Sequence, residues 1–65
     1  MTHAIIAQSL TGADAIAAAQ RIANQIGSPC AVCEGLVSYA IVDDADAFEY
    51  LIEMGWHDYA VVDPQ

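Results

Sequence analysis

Lysine is absent from this 65-residue chain, and Arg21 is its only strong base. Nine acids face that one base, giving a net charge of −8. Phosphate recognition needs a basic footprint, so DNA and RNA are excluded as direct ligands. Anionic membrane surfaces are excluded on the same ground. The partner that remains favoured is a basic protein surface. Cysteine is scarce too: two residues do not make a disulfide scaffold. No apolar run approaches the roughly 20 residues of a membrane span. The opening MTHAIIAQSLTGAD has no basic n-region and no signal-peptide core, so a cytoplasmic location is expected.

What is present argues for a folded chain. The composition is 57% hydrophobic, too apolar for disorder despite the charge. Sixty-five residues make one domain, 1–65, that buries only about 60% of the surface its unfolded form exposes.

Residues 3–9 (HAIIAQS) predict a short strand. Thr11 and Asp14 resemble a capping box, opening a helix that runs to about Ile26. Ile16, Ala19, Ile22, Ala23 and Ile26 fall at spacings of three and four and form its apolar stripe. Gly27 is the expected C-cap, and Pro29 forbids continuation. Residues 30–34 (CAVCE) and 36–42 (LVSYAIV) predict two strands joined as a hairpin at Gly35. A second helix starts after Asp43 or Asp44, with Phe48, Leu51 and Ile52 as its buried side and Gly55 as its stop. Residues 59–62 (YAVV) predict a last strand.

The order β-α-β-β-α-β is that of the ferredoxin-like split βαβ fold, class α+β. It implies a four-stranded antiparallel sheet in spatial order 4-1-3-2 with both helices on one face. The third strand is largely apolar on both sides, with Leu36, Ala40 and Val42 on one and Val37, Tyr39 and Ile41 on the other. A one-sided sheet should alternate with polar residues. The outer face is therefore expected to pack on a partner or on a second copy, unless the strand assignment is wrong or small side chains leave it wet.

The acids are unevenly placed. Asp43 to Asp63 holds seven of the nine and no Lys or Arg. Asp46, Glu49 and Glu53 sit three and four apart, which puts three carboxylates on one helical stripe with neighbouring Cβ atoms roughly 5–6 Å apart. A nucleic-acid backbone presents a comparable row of negative charges. Acids at a helix start also favour the dipole, which gives Asp43, Asp44 and Asp46 a structural explanation. Glu53, near the other end, has none of that kind. Tyr50 and Met54 lie at the margin of the same helix, and Trp56 follows it. These three are candidate contacts, since aromatic residues often anchor interfaces. Trp56 has an equally plain role as the closure of a very small core.

Other motifs are weak. Cys30-Ala31-Val32-Cys33 is a CxxC, but on a strand its two thiols point to opposite faces. A zinc site would need His3 and His57 as well; His3 and Cys30 start strands with another strand between them, and His57 starts at the opposite end. Asp44-Ala45-Asp46 fails as a calcium loop, because Phe48 and Glu49 stand where an oxygen ligand and Gly are required. No nucleophile has a base beside it. The expectation is a non-enzyme with no metal and no cofactor.

A small, acidic, nearly base-free α/β chain with the stretch Asp43–Glu53 resembles the phage-encoded anti-CRISPR proteins, in particular small inhibitors of type I systems, among them type I-C. The resemblance implies an inhibitor that binds the crRNA-guided surveillance complex and blocks target DNA. Asp43, Asp44, Asp46, Glu49, Tyr50, Glu53, Met54 and Trp56 are the candidate partner-binding residues. The alternatives are adaptation to high salt, which the crowding of acids in one third of the chain disfavours, and a ferredoxin-like regulatory or assembly subunit that forms a homodimer through its sheet face.

Overall fold

A computed structural model describes residues 5–9 and 11–65. The element order is β1 (Ile5–Ser9), α1 (Gly12–Ile26), β2 (Cys30–Glu34), β3 (Tyr39–Val42), α2 (Ala45–Glu53) and β4 (His57–Val62). The start of the expected first strand, with His3, lies outside the described residues. The four strands form one antiparallel sheet, as the α+β reading requires.

The strand order departs from expectation. It is β1-β3-β2-β4, so β4 pairs with β2 and not with β1. The ferredoxin-like order has β1 and β3 at the centre; here β3 and β2 are central and β1 and β4 are the edges. This change moves a helix. The β1-to-β2 connection steps over β3, and the β3-to-β4 connection steps over β2. Both steps go the same way across the sheet, while β3 runs opposite to β1. Two right-handed crossovers, the rule for such connections, then place their helices on opposite faces.

The core has that two-sided form. Ala15, Ala19 and Ala23 of α1 pack on Cys30, Val32, Ile41 and Val62. Ala47 and Leu51 of α2 pack on Cys33, Ala40 and Val42. Alternate residues of β2 and β3 thus enter alternate cores, as the two-residue period of a strand dictates. Much of the apolar sheet face expected to be open is covered by α2, which is why these strands do not alternate with polar residues.

Local signals account for the helices. Thr11 accepts a 3.1 Å hydrogen bond from the Asp14 amide, and Gly27 ends α1 in the left-handed region at φ 70 with its amide donating to Ala23. The α1 stripe centres on Ala15, Ala19 and Ala23, spaced by four, with Ile16 and Ile22 flanking it and Ile26 largely exposed. Small side chains let the helix approach the sheet closely. At the other end of the chain, Gln20 donates to the Asp63 carbonyl at 2.9 Å and the Gln65 amide donates to Asn24 at 2.8 Å, fastening the tail to α1.

The hairpin also differs. Strand β3 starts at Tyr39 rather than at 36, and residues 35–38 form the loop, closed by the Gly35 amide donating to the Ser38 carbonyl at 2.8 Å. Leu36 and Val37 are left in solvent despite their strand-like character. On the other side of β2, the register with β4 shifts between Val32 and Cys33, leaving Tyr59 as the extra residue. The bulge keeps Tyr59 on the α1 side, where its ring meets Tyr39 edge-on with centroids 4.9 Å apart.

Candidate functional site

Helix α2 begins because Asp44 caps it. The Asp44 carboxylate accepts the Ala47 amide at 3.1 Å, which resolves the start between Asp43 and Asp44 in favour of Asp44. Asp44 is therefore half-buried and structural, and it is less available to a partner than expected. Asp43, Asp46, Glu49 and Glu53 are all exposed. With 1.5 Å of rise per residue, Asp46 to Glu53 spans about 10 Å. One strand of DNA carries a phosphate about every 3.4 Å along its axis, so three carboxylates at a mean interval of about 5 Å make a sparser row of the same sign.

The inward side of α2 is narrower than expected. Ala47 and Leu51 are buried and Phe48 is half-buried, but Ile52 is 39% exposed. Ile52 and Glu53 share a shallow surface depression with Phe48 and Glu49. Tyr50 is partly exposed and Met54, the C-cap residue, is mostly exposed.

Charge is distributed unequally between the two sides. Asp43 and Asp44 lead into α2, Asp46, Glu49 and Glu53 lie on it, and Asp58 pairs with Cys33, whose side chain faces the α2 core. Arg21 lies on α1, across the sheet. The Asp58 charge, second to burial, raises the Cys33 thiol above its usual range. Burial followed by the charge of Asp43 does the same at Cys30. The two thiols belong to different cores and lie on opposite faces of β2. His57 pairs with Glu34, at the far end of β2 from Cys30. Among the described residues, no group of three His, Cys, Asp or Glu is placed to hold a metal ion.

Trp56 is half-buried and packs against the α2 core, so its closing role is a structural one. Its ring lies so close over Gly35 that a Cβ there would fall 2.9–3.1 Å from ring carbons. Beside it, Leu36, Val37 and Met54 line an open apolar hollow at the C-terminal end of α2. Leu36 is fully exposed and Val37 is 82% exposed. Sequence reasoning missed both because it placed them in a strand. The available signal was the turn: Glu34-Gly35 is a weaker hairpin turn than Asn-Gly, which leaves room for a longer loop.

The phenol of Tyr39 donates to Glu34 at 3.1 Å. Partial burial, followed by that bond, raises its pKa. Among the described residues, no helix is long and apolar enough to cross a membrane. No family model, curated protein or solved structure matches the chain.

Proposed function

We propose that this chain is a non-catalytic inhibitory module that binds a basic protein surface in the cytoplasm and excludes nucleic acid from it. The observation that supports this reading most is the one-sidedness of charge: exposed acids along α2, with the only Arg on the opposite layer. Asp43, Asp46, Glu49 and Glu53 supply long-range steering toward Lys and Arg side chains. Leu36, Val37 and Met54 at the end of the same helix supply desolvated contacts that slow dissociation. Tyr50 is the aromatic rim between them, and Trp56 supports the loop from beneath. In keeping with the resemblance to anti-CRISPR proteins, the partner is a DNA-binding subunit of a CRISPR surveillance complex, and the step blocked is target DNA binding.

The test is capture of the partner from cells carrying CRISPR effectors, followed by competition with target DNA. The expected result is mutually exclusive binding. Capture of a complex that still holds its DNA, or recovery of a self-associated form alone, would reject the reading.

A further inference from the structure

Helix α2 is only nine residues long and does not cover its whole face of the sheet. Where β3 ends and β2 begins, a shallow hollow of about 230 Å³, open to solvent, lies beside it. Ala31, Val42, Ala45, Phe48 and Val61 make its apolar walls, and Asp43 and Asp44 stand among them. Small-molecule sites usually occupy about 300–1,000 Å³, so this one is small for a free metabolite. Its size and open mouth suit the end of one long side chain. Asp44 is engaged as the helix cap, whereas Asp43 is exposed.

We propose that this hollow receives a single arginine side chain of the partner. The chemistry is complementary at each end. The aliphatic stem meets Ala31, Val42 and Val61. The guanidinium reaches the Asp43 carboxylate, which it can engage through two parallel N–H donors. The Phe48 ring offers a face on which that cation can stack. Lysine would present a point charge without the planar fork, so arginine is preferred. The inference rests on reading the α2 side as a partner-binding face, and it names a place there where an exposed carboxylate stands beside an apolar depression.

The experiment is an amide-resolved NMR titration of the intact chain with N-acetyl-arginine amide, and in parallel with its uncharged isostere N-acetyl-citrulline amide. Saturable shifts are expected at Ala31, Asp43, Ala45 and Phe48 with arginine, and at least about fivefold weaker binding with citrulline. Asp43→Asn should weaken arginine binding by a similar factor, and Phe48→Leu should weaken it while keeping the apolar wall. Asp14→Asn, on the opposite side of the sheet, should alter it less than about twofold. Shifts that never saturate, equal binding of citrulline, or an equal loss in Asp14→Asn would overturn the proposal. The DNA competition assay separates this from the functional reading: arginine binding without competition leaves the hollow and removes the inhibitor, while competition that persists in Asp43→Asn does the reverse.

Discussion

Leu51 and Ile52 are neighbours on α2 with opposite fates, and replacing each with Ala tests how that helix is seated. Leu51 is 3% exposed and packs between Ala47 and the Cys33, Ala40 and Val42 side of the sheet. Deleting a buried leucine to alanine costs about 2–5 kcal/mol, and the value depends on how far the site collapses. A short helix lying on one face can settle inward, so the lower half applies, about 2–3 kcal/mol. A chain of this length has a total stability of roughly 3–10 kcal/mol at 0.05–0.15 kcal/mol per residue. Leu51→Ala therefore removes a large share, equivalent to a fall in Tm of about 10–20 °C. Ile52 is 39% exposed and sits outside both core clusters, so Ile52→Ala should cost less than about 1 kcal/mol. Urea unfolding followed by far-UV circular dichroism reads both. Equal losses, or a larger loss at Ile52, would mean that α2 is rotated about its axis and that its acidic side faces elsewhere.

Further outcomes follow from the same packing. Ala19→Leu should destabilise by about 1–3 kcal/mol or prevent folding, because Ala19 is fully buried where α1 meets the sheet; a neutral result in a thermal melt would deny the close approach. Raising NaCl to about 0.5 M should raise Tm, since the α2-side acids lack compensating bases and screening shortens their repulsion; a Tm indifferent to salt would show them too dispersed to act together. The raised thiols of Cys30 and Cys33 ionise more readily in the unfolded chain. Stability should hold below the unfolded thiol pKa of about 8.5 and decline as pH rises above it. The double variant Cys30→Ala/Cys33→Ala should flatten that decline, leaving the part due to Tyr39.

Much of the fold was legible from local chemistry. Thr11, Gly27 and Gly55 fix the helix ends through capping and backbone geometry, and those cues act within a few residues. The partner of β4 was not legible, because pairing at β1 or at β2 satisfies the same hydrogen bonds and is decided by long-range packing. Yet the deciding clue was in the strands. Ala31, Cys33, Ala40 and Val42 are as apolar as Cys30, Val32 and Ile41, which is what a sheet covered on both faces requires. The expected α1 stripe holds at Ala19 and Ala23, with Ile16 and Ile22 packed beside them; it missed Ala15 and included the exposed Ile26 because Ile outranks Ala in hydrophobicity, whereas the closest contact with the sheet selects the smaller residue. At the candidate site, spacing alone put Asp46, Glu49 and Glu53 on one exposed stripe. It could not show that Asp44 is consumed by capping, nor that Leu36 and Val37 project from a loop, since β-branched and leucine residues normally seek cover.

The measurement that bears most directly on the account is DNA competition by the triple variant Asp46→Lys/Glu49→Lys/Glu53→Lys at two ionic strengths. None of the three is buried, so the variant should fold, with circular dichroism as the check. The unmodified chain should displace target DNA from its basic partner, with an association rate that falls by about tenfold or more as salt rises. The folded triple variant should not compete at either salt concentration. A folded triple variant that still excludes DNA would contradict the account and reduce the acidic stripe of α2 to a solvated surface.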